Sequence, residues 1–426
     1  MHFWPDFRHW LAGLEDTRDP NLITYDTRFL AWMGLMVFLL KLGSRRQARF
    51  ELASPKALEN LNRLSGCHQE TLAHSDTLNH FLGHVHPGEW AALRRKMVQR
   101  LIRNKVLNSG RLLGHFLVVI DGTGQLHFRR RHCEHCLEQK HGGGTRYYHH
   151  VLEAKLVTPG GLVLSIGSEF IENADPQDSK QDCELKAFYR LARRLKKDFP
   201  QLPLCLLLDA LYARGPVLKV CEDNRWKYII TFKEGSLPAL WREYECLREQ
   251  CSKNRLERAT EAGVLQSFAW VEQLEHVDQE GRVHRLGALE CLEPDAQGQA
   301  RHFAWITNFR VHSQAVRPLA NRGGRCRWKI ENEGFNIQKN GGFNLEHAYS
   351  FGDWQLKGFY LLMQIAHLIL QLLERGNLLG EPCRRLFGSL RALARRLAES
   401  LRHYRIPTEA LDPAAAKGFQ IRLDSS

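Results

Sequence analysis

The order of elements between residues 114 and 233 constrains this chain more than any other feature. The apolar run Phe116-Leu-Val-Val-Ile reads as a buried strand over 115–121. Further strands are expected at 147–157 and 162–171, with the turn Pro159-Gly160-Gly161 between them. Lys180 to Phe199 has the period of a long amphipathic helix. A second apolar run, Leu204-Cys-Leu-Leu-Leu, gives a strand over 203–208, followed by a helix at 213–223 and a strand at 226–232. Three strands, then helix, strand, helix and strand, is the order of a mixed sheet with crossover helices, an α/β layered domain.

Both central apolar runs end in an aspartate, Asp121 before Gly122-Thr-Gly124 and Asp209 before Ala-Leu-Tyr212. A third acid, Glu331, closes Arg327-Trp-Lys-Ile-Glu331 in a helical, basic stretch. An aspartate at a strand end often just caps a turn. Two of them plus a glutamate on a later helix can instead converge around a pair of divalent cations. Hard cations take carboxylate oxygens, and two of them can clamp an in-line phosphoryl displacement. On a chain of net charge +13 the obvious phosphodiester is nucleic acid.

The 43% hydrophobic and 25% charged content is that of an ordinary soluble globular protein. Eleven scattered cysteines fit reduced thiols better than a disulfide framework. Phe29 to Leu40 is too short to span a bilayer and reads as a buried helix. The first residues lack a signal-peptide pattern, so the expected location is cytoplasmic, on the nucleoid, with no membrane partner.

Residues 1–110 read as a helical, DNA-binding region and 111–237 as the first part of a catalytic core. Residues 238–310 read as a β-rich insertion, 311–350 as the glutamate helix completing the core, and 351–426 as a helical basic C-terminal region. In the last, Arg384 to Arg405 is expected to be one basic helix. Lys155, Lys180, Arg190, Arg193, Arg194 and Lys233 are candidates for a DNA track, although charge runs on helices are more often only solvated.

The segment from Arg325 to Lys339 resembles the glutamate helix of bacterial DDE transposases of the insertion-sequence-four type. Their signature is Tyr, two residues, Arg, three residues, Glu, six residues, Lys. Arg327 and Glu331 match it; Gly324 stands at the tyrosine position, and Lys339 comes one place late. Asp121-Gly-Thr-Gly and Leu208-Asp209-Ala-Leu-Tyr-Ala carry the resemblance further, over about residues 70 to 375.

The resemblance implies a ribonuclease-H-like mixed sheet with a β-rich insertion and helical regions at both ends. Asp121, Asp209 and Glu331 would be the catalytic acids, holding two Mg2+ ions, with Mn2+ able to substitute. Arg327 and Lys339 would contact DNA. The activity implied is binding of terminal inverted repeats, metal-dependent cleavage and strand transfer, by a homodimer on double-stranded DNA. A nuclease that cuts without joining, and a transposase-derived DNA-binding protein with a dead site, are the alternatives. Arg327 and Glu331, four apart, share a helix face; Gln338 falls on nearly the same face, and Lys339 about a quarter-turn away. Asn336, Asn340 and Asn344 could touch phosphates or bases. Lys329 and Glu333 read as an ordinary intrahelical ion pair, and Glu331 is preferred to Glu333 as the third acid. Trp328 and Trp270 read as core tryptophans, with stacking on a flipped base as the alternative.

A separate constellation is His132-Cys133-Glu-His135-Cys136, followed by His141 and His149-His150. Cys-x2-Cys and then twelve residues to a histidine is a spacing that zinc can use, with the fourth ligand open. The competing reading is a polar, DNA-facing turn with reduced thiols.

Overall fold

The computed structural model describes residues 3–141, 144–173, 181–376 and 383–411. Six helices come first: α1 Phe7–Ala12, α2 Thr27–Leu39, α3 Arg45–Glu51, α4 Pro55–Ser65, α5 Ser75–Leu82 and α6 Pro87–Arg103. As expected from its composition, α2 is buried from Phe29 to Leu39.

The sheet follows. β1 is Phe116–Phe128, β2 Leu137–His141, β3 Gly144–Val157 and β4 Val163–Ile171. Helix α7, Glu184–Asp198, leads to β5, Leu204–Leu208; α8, Gly215–Asp223, leads to β6, Lys227–Thr231. β1 pairs antiparallel with β3, and β3 antiparallel with both β2 and β4. On the other side β1 runs parallel to β5, and β5 parallel to β6. The mixed α/β order expected from the sequence is therefore present. One boundary differs: β1 does not stop at Asp121 but continues through a bulge near Gly124 to Phe128. The long partner β3 sustains the pairing past the acid, so polar residues are drawn into the strand.

Helix α9, Pro238–Gln250, precedes four strands, β7 Arg255–Ala259, β8 Leu265–Val277, β9 Val283–Pro294 and β10 Ala300–Thr307. β10 pairs antiparallel with β6, so these strands extend the same sheet to ten strands.

The chain then makes an irregular helix. α10, Val316–Pro318, gives way to a π turn at Leu319–Gly323, a 3-10 stretch at Gly324–Trp328, a second π turn at Ile330–Phe335, and finally α11, Asn336–Asn340. The regular α-helix assumed for this segment is thus corrected. The segment packs closely on the sheet, since a Cβ on Gly324 would lie 2.3 Å from the Trp305 ring.

Helix α12, Asp353–Arg375, is long and apolar enough to cross a membrane, but 83% of its apolar window is buried inside the protein. Leu362 comes against Gly34 of α2, and Phe359 against Phe38. The basic C-terminal stretch is two helices, α13 Cys383–Phe387 and α14 Leu390–His403, rather than one. Gly388, with φ +73°, and the Ser389 N-cap break it.

Alternate residues of the central strands feed two cores. Val118, Ile120, Leu204, Leu206 and Leu208 join the side covered by the N-terminal helices, α7 and α12. Leu117, Val119, Cys205 and Leu207 join Cys326, Ile330 and Phe335 of the irregular helix on the opposite side.

Candidate active site

This alternation decides where the aspartates point. Asp121 has the parity of Leu117 and Val119, and Asp209 that of Cys205 and Leu207, so both look toward the irregular helix. The parallel register ends at Val119↔Leu207, just before both aspartates, and the Asp209 charge acts on Asp121. Asp209 caps the short turn after β5, its Oδ1 accepting from the Leu211 N–H at 2.9 Å.

Asp121 accepts from the Gly122 N–H at 3.0 Å and from Arg327 Nη1 at 3.2 Å. The arginine is 206 residues further along the chain and docks the irregular helix over the aspartate pair. Burial raises the Asp121 carboxyl to about 6; Arg327 and the Gly122 N–H pull it down, while Asp209 and Glu184 push it up. The site therefore carries more negative charge than its own cation balances.

Glu331 follows Arg327 by four residues and is exposed. Its carboxylate has neither an ion pair nor a hydrogen bond among the described residues. Its charge reaches buried Lys155, whose ammonium burial holds down to about 8. Glu333 is engaged with Lys329 at 3.2 Å, the ion pair expected from spacing. The arrangement leaves Glu331 the open carboxylate of the two.

Arg327 also lies over the Trp328 ring, 4.6 Å from its centroid. Trp328 is 55% exposed, which corrects its reading as a core residue, whereas Trp270 is buried as expected. Gln338 does not share the Glu331 face. It is fully buried and accepts from Lys155 Nζ at 3.0 Å. Lys155 is thereby removed from the expected DNA track: it lies inside, between Gln338 and Gln364. Lys180 and the Arg384 side chain fall outside the described residues. Lys339 pairs with Glu346 at 3.3 Å and lines a cleft of about 610 Å3 with Leu211, Glu184, His150 and His127. Asn336 and Asn340 bond each other at 2.6 Å, and Asn344 donates to the Gly43 carbonyl at 3.2 Å.

Two residues of the site were not singled out from the sequence as acting here. Glu184 opens α7 and holds His150 Nε2 at 3.1 Å. Both press on the strand directly behind Asp121: a Cβ on Gly122 would lie 2.3 Å from Glu184 and 2.4 Å from His150. Gly122 was the available signal, because only a residue without a side chain admits this pair. Glu184 lies on the far side of β1 from Arg327, so its charge reaches Asp121 across the strand.

The hairpin constellation also assembles, in part. Cys133, Cys136 and His149 meet, with His132 beside them. His150, the next residue on the strand, turns to the opposite side, as strand alternation requires. The side chain of His141 is outside the described residues. No protein-family model and no curated protein sequence matches the chain.

Proposed function

We propose that the protein is a DNA transposase with a ribonuclease-H-like catalytic core, which binds the terminal inverted repeats of an insertion sequence and carries out metal-dependent cleavage and strand transfer. The observation that carries this reading is the ion pair from Arg327 to Asp121. It brings the segment with Glu331 onto the sheet that presents Asp121 and Asp209. The chain order of strands and crossover helices supports the core assignment.

The donor set fits divalent cations of the magnesium type. It is made of carboxylate oxygens, one of them unpartnered, in a site where burial, helped by the charges of Asp209 and Glu184, raises Asp121. Asp121, Asp209 and Glu331 would hold the ions, which supply Lewis acidity to the attacking and leaving oxygens. Arg327 is placed to grip a phosphate once cations neutralise Asp121, and its planar fork suits a bidentate contact. The exposed Trp328 offers a face on which a base can stack.

The late lysine also finds an explanation. In a regular α-helix Lys339 would lie roughly 80° from Glu331. A π turn takes about one residue more than an α turn. The π turn at Ile330–Phe335 absorbs the extra residue between Glu331 and Lys339 and returns the lysine close to the glutamate's face. The tyrosine position is closed, since Trp305 fills the space beside Gly324.

The test uses a duplex carrying the DNA that flanks the coding sequence, in magnesium. The expected products are a nick exposing a 3′ hydroxyl and a joined strand-transfer product. Asp121→Asn and Asp209→Asn should each lower cleavage at least ~10³-fold while DNA affinity stays within a few-fold. Cleavage without joining would convert the reading to a nuclease, and binding without either would convert it to a DNA-binding protein.

A further inference from the structure

We infer that Cys133, Cys136, His149 and His132 form a structural zinc site that fastens the turn between β1 and β2 onto β3. The two sulfurs are 3.6 Å apart. His149 Nε2 lies 3.4 Å from Cys133 Sγ and 3.5 Å from Cys136 Sγ. Ligand atoms of His132, Cys133 and His149 all fall within 4.8 Å of one another.

These are the edges of a metal tetrahedron. Zn–S bonds of about 2.3 Å and Zn–N bonds of about 2.0–2.1 Å put sulfurs ~3.8 Å apart and sulfur and nitrogen ~3.6 Å apart. The three contacts among Cys133, Cys136 and His149 match within about the tolerance expected of a metal site, and His132 stands near enough to supply the fourth ligand. Two sulfurs and two imidazole nitrogens in a tetrahedral set suit zinc rather than a hard cation.

The surroundings hold the ligands ready. The Cys136 N–H donates to the Cys133 carbonyl at 3.4 Å, closing the turn that carries both sulfurs. Asn173 Nδ2 donates to the Cys136 carbonyl at 3.0 Å. The His132 ring stacks on Phe128 at 4.9 Å and 17° and meets Phe351 at 4.9 Å. His149 and Cys136 are buried, while Cys133 and His132 lie nearer the surface. Binding ionises both thiols, releases their protons to solvent and leaves both imidazoles neutral.

The position gives the metal a purpose. Arg129, Arg130 and Arg131 are exposed on the tethered turn. His149 precedes His150, which bonds Glu184 behind Asp121. Zinc would therefore fix a basic turn at a set distance from the candidate site, independently of which reaction that site performs.

The test measures the metal content of the full chain, purified from zinc-containing medium without chelator. About one zinc per chain is expected, and cobalt(II) in its place should give the spectrum of a tetrahedral thiolate site. Cys133→Ser and Cys136→Ser should each lower bound zinc at least about tenfold, whereas Cys246→Ser, at an exposed cysteine elsewhere, should not. If the variants fold poorly, titrating wild-type thiols with a mercurial should release zinc in step with two of them. Protein without zinc, zinc unchanged in both variants, or a Cys133–Cys136 disulfide in place of metal would each overturn the inference. Metal content needs no DNA, so its outcome is separable from that of the transposase reading.

Discussion

The Cys/His cluster of the turn after β1 and the acids Asp121, Asp209 and Glu331 contrast in almost every physical respect. The Cys/His cluster is built within eighteen residues, from His132 to His149, and offers sulfur and nitrogen. The proposed acidic site would draw on 211 residues of chain, from Asp121 to Glu331, and offer only oxygen. In the first, the two sulfurs and His149 Nε2 already sit at tetrahedral distances. In the second, negative charge is crowded and one carboxylate stands free. Closed soft-ligand sites stabilise a fold, whereas open carboxylate sites bind cations that must exchange and reach substrate. The comparison teaches that, on the proposed reading, a soft-ligand staple and a hard-cation site can lie near one strand, kept apart by ligand chemistry.

If that division holds, salt should separate the two clusters most widely. DNA affinity should fall on the order of 10³-fold or more between low and moderate ionic strength if six or more phosphates are neutralised. Bound zinc should stay constant over the same range. A flat affinity profile would mean that the arginines of the turn and of α14 are only solvated, and would remove the reason for tethering the turn.

A smaller effect should appear in stability, with opposite sign at the two sites. The folded Asp121 carboxyl, at about 6, lies above its ordinary value. The folded state thus binds the extra proton between about pH 4 and 6, and stability falls as pH rises through that window. The penalty is fully present above pH 6 and absent below about pH 4. In magnesium-free buffer, Asp121→Asn should therefore stabilise the protein by on the order of 1–2 kcal/mol at pH 7.5, and hardly at all at pH 4. Cys133→Ser should lower the melting temperature at pH 7.5, where zinc is bound, and have little effect at pH 4, where protonation of the thiols and imidazoles releases the metal. Thermal melts of both variants check this, and destabilisation by Asp121→Asn at pH 7.5 would contradict the crowded-charge account.

The sequence made the two clusters legible for different reasons. His149 could be read from its spacing to Cys136, because a hairpin keeps such distances local. His132 could not be assigned, since it precedes the cysteine pair and only the turn brings it back. The central strands announced themselves through continuous apolar runs, buried on both faces. The pairing of β10 with β6, which merges the later strands into the same sheet, depends on tertiary contacts that no local pattern encodes. Lys155 resembled a surface cation because its charge is visible in sequence and its partners, Gln338 and Gln364, are not. The π turn at Ile330–Phe335 has no propensity signature, and it altered the face on which Gln338 and Lys339 lie. Glu184 stayed hidden because nothing in linear order ties the start of α7 to Asp121.

The central claim is that Glu331 completes a metal site with Asp121 and Asp209. Three glutamates compete for that role, and they differ in what engages them. Glu333 is tied to Lys329 and Glu184 to His150 behind the strand, while the Glu331 carboxylate has no ion-pair or hydrogen-bond partner among the described residues. The direct measurement is the magnesium-dependent cleavage rate of end DNA by Glu331→Gln, Glu333→Gln and Glu184→Gln, each verified as folded. Glu331→Gln should stop cleavage, lowering the rate at least ~10³-fold, while the other two reduce it modestly. Loss of cleavage in Glu184→Gln or Glu333→Gln, with Glu331→Gln still active, would contradict the account and move the third acid elsewhere.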